Sequence, residues 1–377
     1  MKKTLTRRQK AKRYSSVKAG LALLGVLLSV FSALVFSSFV SDPVFNALRG
    51  ALPGTGFVYV WYVIIFLFFM GSLAFPLRYI NSFFIEKRYG LSSRSMTSWF
   101  LDEIKSSLLG FVVSMVSTLF LYAAMARFPG EWWIISAFAW IIFLVAMAFL
   151  SPVVIIPLFF KYLSIDPGPI KERIEALAAK TGVRICDVCV VDLSKKTLKA
   201  NAALVGLAKT RKVILSDTLM DNFTADEVET VMAHEFGHHK LRHIPKHIGF
   251  ASLSVFLGFA ALYLFSGKIA EISGTPGISD IRTLPVIFIF SCIIDFLVMP
   301  IRNFFSRICE READNFALNF TSRPEVFISV MEKLSSMNFS DEDPSLLKKI
   351  WLYAHPPISE RIAMAWRYKK YHEEKRQ

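Results

Sequence analysis

The chain has 377 residues, 54% of them hydrophobic, and a formal charge of +14. That apolar share excludes an ordinary soluble domain, because several runs reach the ~20 residues needed to cross a bilayer. Nucleic acid is not the reason for the charge. The Lys and Arg residues gather at the ends of the apolar runs, where attraction to anionic lipid accounts for them.

In chain order, a basic leader (residues 1–18) precedes the first run, AGLALLGVLLSVFSALVFSSFV. This run (19–40) is longer than the apolar part of a signal peptide and lacks a small-residue cleavage site, so it reads as a retained anchor. Further predicted spans lie at 57–76, 108–126, 132–150, 248–265 and 284–301. Six spans place both ends on one side. Nearly all the basic residues fall in the leader, the 78–105 loop, 161–246 and the tail after Arg302, so both termini and these polar regions are expected in the cytoplasm. The implied division is a membrane domain of four spans (19–150), a catalytic region (151–247), two further spans (248–301) and a C-terminal region (302–377). Asp295, inside the sixth span, is expected to face the bundle interior or water rather than lipid. Cys186, Cys189, Cys292 and Cys309 fall where disulfides do not form, and the Cys186–Cys189 pair sits in an extended run that turns the two thiols to opposite faces.

The catalytic region opens with a helical pattern, IKERIEALAAKTG, and a strand at 185–192. ANAALVGLAKTRKVILSD then reads as two strands joined through a Lys-Thr-Arg turn. FTADEVETVMAHEFGHHKLRH follows, with Thr224 and Glu227 spaced as a capping box ahead of a helical stripe. On that helix His234 and His238, four apart, share a face and can grip one ion, with Glu235 beside it to take a proton from water. His243, nine residues past His234, is about half a turn round a continued helix and is expected to point away, as is His239. A third ligand must come from elsewhere. SRICEREADNFA, after the sixth span, offers Glu310, Glu312 and Asp314; on a helix Glu310 and Asp314 share a face, so one can ligate while the other supports a ligand histidine. Three protein ligands leave the open position a catalytic zinc needs.

On PLRYINSFFIEKRYGLS (76–92), PLFFKYLSIDPGPIKERIEALAAKTG (157–182), CVVDLSKKTLKANAALVGL (189–207), the AHEFGH helix, SRICEREADNFA and AHPPISERI (354–362), the chain resembles the CAAX prenyl protease type 1 family of integral-membrane zinc metalloproteases, a gluzincin group. The resemblance implies a multi-span α-helical membrane protein with a cytoplasmic zincin-like α+β catalytic region, an HExxH helix beside a short edge-strand sheet. It implies one Zn(2+) per chain on His234, His238 and Glu310, with Glu235 as general base and Asp314 supporting a ligand histidine. Asn201 and Ala202 match the family's edge strand, which pairs with extended substrate. His355 and Arg361 match a tail motif that reaches back to the site, where a donor can stabilise the tetrahedral oxyanion.

The function implied is zinc-dependent hydrolysis of peptide bonds near the membrane surface, in the family's form by removal of the C-terminal tripeptide of prenylated CAAX proteins. The expected partners are a polypeptide, lipid-modified at its tail in that version, and membrane lipid, with no nucleic acid. A quality-control protease acting on misfolded membrane proteins uses the same chemistry and is the alternative. An inactive zinc-binding scaffold or transporter is a third reading, against which the intact HExxH argues. Eukaryotic members of the family carry seven spans around a large chamber, one more than are counted here.

Overall fold

The computed structural model describes residues 6–206 and 211–375. Four long helices come first: α1 (Arg7–Ala51), α2 (Thr55–Arg88), α3 (Met96–Arg127) and α4 (Trp132–Phe159). Then come β1 (Tyr162–Ser164), α5 (Pro169–Thr181), β2 (Asp187–Val191), β3 (Ala202–Val205), β4 (Lys212–Ser216) and α6 (Ala225–Lys240). The chain returns to long helices in α7 (His243–Leu264) and α8 (Leu284–Thr321), and finishes with α9 (Pro324–Asn338), α10 (Leu346–Leu352) and α11 (Ile358–Glu374).

Six helices among the described residues, α1–α4, α7 and α8, are long and apolar enough to cross a membrane. They exceed the apolar runs that predicted them. The basic leader is helical from Arg7 and continuous with the first run, and α8 carries on past its apolar part to Thr321. Large apolar side chains such as Phe31, Phe68, Ile142 and Leu257 stand exposed along these helices. Such a surface suits hydrocarbon, which offers no penalty for apolar contact, and where π-helical turns interrupt the α-helix at Phe36–Val40, Ile80–Phe84 and Ser151–Ile155 the backbone stays helical and satisfies its own hydrogen bonds. Inside the bundle Phe36, Tyr62, Phe66, Tyr122 and Trp132 form a buried cluster. Its hydroxyls are partnered, Tyr62 with Ser41 at 2.6 Å and Tyr122 with Thr283 at 2.7 Å, as burial of a phenol requires. Asp295 pairs with Arg302 at 2.8 Å, two turns along α8, and both line a cavity of about 640 Å³ bounded by α4, α7 and α8.

The polar half is a four-stranded sheet with helices packed on it. Strand order is β1-β2-β4-β3; β1 and β3 run antiparallel to their neighbours and β2 runs parallel to β4. The two expected strand segments after residue 200 are β3 and β4, and the Lys209-Thr210 part of their turn lies outside the described residues. β1, three residues long, carries too little periodicity to be read from sequence. Cys186 is exposed and lies just before β2, whereas Cys189 is buried within it. Ile174, Leu177, Val188, Leu215, Met232, Phe236, Phe327 and Val330 build one core between sheet and helices, each worth ~1.5–3 kcal/mol when fully buried. α5 ends at Gly182, whose φ of +71° is a left-handed cap that a side chain would strain.

Candidate metal centre

α6 is started by its sequence. Thr224 accepts from the Glu227 N–H at 3.4 Å while Glu227 accepts from the Thr224 N–H at 2.8 Å, the expected capping box. Glu227 also receives Lys333 at 2.6 Å and Ser329 at 2.7 Å from α9, which ties the helix start to the neighbouring element. Further along, α6 and α8 come close at Gly237. A Cβ there would lie 3.1 Å from Phe316 Cδ1 and 3.3 Å from Ala313 Cα. The glycine in HEFGH therefore admits α8, and that approach carries Glu310 to the histidines.

The three groups converge. His234 Nε2 and His238 Nε2 are 3.0 Å apart; Glu310 places Oε2 3.5 Å from the first and Oε1 3.3 Å from the second. Donor atoms bound to one tetrahedral ion at 2.0–2.1 Å stand about 3.3 Å from each other, so this set fits one small divalent cation. Two further observations agree. Glu310 Oε2 is buried with no hydrogen bond aimed at it, although His355 Nδ1 stands 2.9 Å away. Burial alone would favour a neutral His234 ring, but Asp314 and Glu310 beside it push its pKa up to about 10; the pocket favours positive charge where the ion would sit. Of the three acids offered by SRICEREADNFA, Glu310 meets both imidazoles. Asp314 lies behind His234, Oδ1 to Nδ1 at 2.8 Å. Glu312 faces elsewhere.

Glu235 lines the same cavity of about 480 Å³ as His234 and Glu310. Burial pushes its carboxyl above the usual range, with the His234 and His238 imidazoles opposing. Arg361 donates through Nε to Asp314 Oδ2 at 2.8 Å and through Nη2 to Oδ1. Its fork is thus committed to a carboxylate rather than free. His355 is two-thirds exposed (67%) and close to Glu310. It is held there because Arg307 of α8 binds the Lys349 and Tyr353 carbonyls, at 2.9 and 2.7 Å, and Asn303 binds that of Trp351 at 2.6 Å. Arg307 was not singled out from sequence, although it belongs to the same SRICE stretch as the third acid.

Asn201 and Ala202 border the cavity at β3. The Ser216 N–H donates to the Asn201 carbonyl at 2.9 Å, so by antiparallel alternation Ala202 turns its backbone groups to the free edge. There Asn201 Oδ1 accepts the Ala202 N–H at 3.0 Å.

One expectation is overturned. His243 does not point away: it is 1% exposed, its Nδ1 is 2.8 Å from His238 Nδ1, and its Nε2 is 2.8 Å from Glu312 Oε2. The half-turn arithmetic assumed a straight helix through residue 243. In fact α6 stops at Lys240, Arg242 takes φ +56°, and α7 starts at His243 in a new direction.

Against known proteins, residues 165–368 match the profile of peptidase family M48, and residues 3–161 match that described as CAAX prenyl protease N-terminal, five membrane helices. Four of the long helices lie within the second match. CAAX prenyl protease 1 of Saccharomyces cerevisiae is 28% identical over 94% of this chain and 84% of its own length. The CAAX prenyl protease 1 homolog of Arabidopsis thaliana is 30% identical over 76% of this chain and 68% of its own. The uncharacterized metalloprotease YhfN of Bacillus subtilis is 27% identical over 94% and 84%. In fold, the crystal structure of S. mikatae Ste24p superposes with a TM-score of 0.80 at 24% identity, over 95% of this chain and 88% of that one.

Proposed function

The chain belongs to peptidase family M48 and is a membrane metalloendopeptidase, and on that premise we propose how its own residues divide the work. His234, His238 and Glu310 hold one Zn(2+) per chain. When bound, zinc supplies a Lewis acid that polarises the scissile carbonyl and makes water acidic enough to attack at neutral pH. Glu235, beside the ligands, accepts the proton of the attacking water and returns it to the leaving amine. Asp314 orients the His234 ring, and Arg361 holds Asp314 with both arms of its fork, so Arg361 acts through that carboxylate rather than on substrate.

His355, exposed to the cavity beside Glu310, is the donor for the oxyanion; a correctly aimed group of this kind is worth about 3–4 kcal/mol. Substrate lies extended along β3. Its carbonyl takes the Ala202 N–H in place of Asn201 Oδ1, which releases the Asn201 amide to the peptide. The distribution of Lys and Arg supports a site and termini on the cytoplasmic side, with 19–150 and 248–301 in the bilayer. The similarity to CAAX prenyl protease 1 supports a lipid-modified C-terminal tail as the natural substrate, reaching the site by lateral partition; no nucleic acid takes part.

The observation that carries this reading is the convergence of two Nε2 atoms and one carboxylate within 3.0–3.5 Å. The test is cleavage by purified protein of a farnesylated peptide and its unmodified twin, with and without a chelator. The chelator should abolish both reactions and farnesyl should raise kcat/KM. Equal rates on the two peptides would transfer the enzyme to the quality-control reading, and cleavage that survives chelation would sink the metal mechanism.

A further inference from the structure

The cavity beside the metal centre has a second end. From the His234–Glu310 region its wall passes to α9 and α10, where Leu334 and Leu352 are its partly or well exposed apolar side chains while Phe327, Val330 and Met331 lie buried behind that surface, and it reaches Asp341 just beyond α9. Asp341 is 6% exposed, and its buried Oδ2 has no hydrogen bond. The cation that comes near, Lys348, stands 4.0 Å from that oxygen and gives its own hydrogen bond to Ser16 Oγ at 2.8 Å. A desolvated carboxylate with unmet acceptor capacity is costly to keep. At the end of an apolar-walled cavity open to a peptidase centre, it is placed to be satisfied by what the cavity takes in.

We propose that Asp341 is a specificity residue that binds the cationic head of a lysine or arginine side chain of the peptide substrate. The methylene stem of that side chain lies along Leu334 and Leu352, the division of apolar stem and charged head that long basic side chains adopt. This rests on the peptidase reading and adds to it the class of residue selected near the scissile bond. Lys348 competes for the same carboxylate in the absence of substrate.

The test uses the full-length zinc-loaded protein in detergent. A peptide set carries one lysine or its uncharged isostere norleucine at each of three positions either side of the scissile bond. At one of these positions lysine should raise kcat/KM at least tenfold over norleucine, and in Asp341→Asn the ratio should fall to about one. Asp341→Glu should retain part of the preference, and Lys348→Met, which removes the competitor, should increase it. A lysine-to-norleucine ratio that is unchanged in Asp341→Asn, or a Lys348→Met protein that loses stability without any change in the ratio, would overturn the proposal and make Asp341 a structural partner of Lys348. Binding of the same peptides to Glu235→Gln, read by fluorescence anisotropy, reports the pocket where no bond is cut. Selective binding there with no turnover by the wild type would retire the catalytic assignment and leave this one standing; binding without preference would remove this one alone.

Discussion

His238 and His243 face each other through their Nδ1 atoms at 2.8 Å, and His243 passes the contact on to Glu312, which is also held by Lys246 at 3.0 Å. The Nε2 of His238, which faces His234 and Glu310, is thus oriented from behind by an imidazole and a carboxylate, while His234 is oriented by Asp314 and Arg361. Each imidazole of the proposed ligand pair has its own carboxylate-backed support, and the two supports share no residue.

Removing the first support should loosen the metal without removing a ligand. His243→Ala is expected to weaken zinc binding about 10–100-fold, measured by competition with a chromophoric chelator. Glu312→Gln should give a smaller loss, because Glu312 is half exposed. Unchanged affinity in His243→Ala would make the contact incidental.

The second support depends on a bidentate fork. Arg361→Lys keeps the charge but cannot match both Asp314 oxygens, so kcat should fall while KM for a peptide stays near its wild-type value. Arg361→Ala leaves Asp314 buried and without its cation, and should lose stability as well as activity. A rise in KM alone would instead place Arg361 on the substrate.

Gly237→Ala probes the approach of α6 and α8. The added methyl meets Phe316 and the Ala313 backbone at 3.1–3.3 Å, which α8 cannot relieve by rotating one side chain. A cost of about 1–3 kcal/mol in stability is expected. Zinc occupancy should fall as well, since the displaced helix carries Glu310. A variant that melts earlier yet binds zinc as tightly as wild type would show that helix spacing and ligand geometry are uncoupled.

The start of α6 predicts a pH response. Burial by itself would raise the pKa of Glu227, but Lys333, Ser329 and the Thr224 N–H hold it below the usual carboxylate range. A carboxyl lowered in the folded state contributes stability that is fully present above its unfolded value of about 4.3 and is lost as pH falls through the lower folded value. The stability difference between wild type and Glu227→Gln should therefore be constant at neutral pH and shrink below about pH 4. Thr224→Ala, which removes the other half of the box, should cost about 1 kcal/mol at all pH values.

Several features were legible because they are local. The apolar runs that became α1–α4, α7 and α8 announce themselves by length, since hydrocarbon leaves a spanning segment no choice but to satisfy its own backbone. The AHEFGH helix could be read because a cap, a stripe and a pair of histidines four apart all fall within five turns of one element. Residue identity and 3.6-fold periodicity suffice for that.

Three other matters were decided only by tertiary packing. Glu310, Glu312 and Asp314 are equivalent as a sequence of acids. Which meets the imidazoles depends on the rotation of α8 against α6 at Gly237, and it sends Glu310 to the centre, Asp314 behind His234 and Glu312 to His243. His243 itself was misplaced because a single residue, Arg242 at φ +56°, ends one helix and aims the next, and no periodic pattern survives such a break. The fork of Arg361 draws its partner Asp314 from α8, 47 positions earlier in the chain, so that pairing follows from how the helices pack and not from any spacing along the backbone.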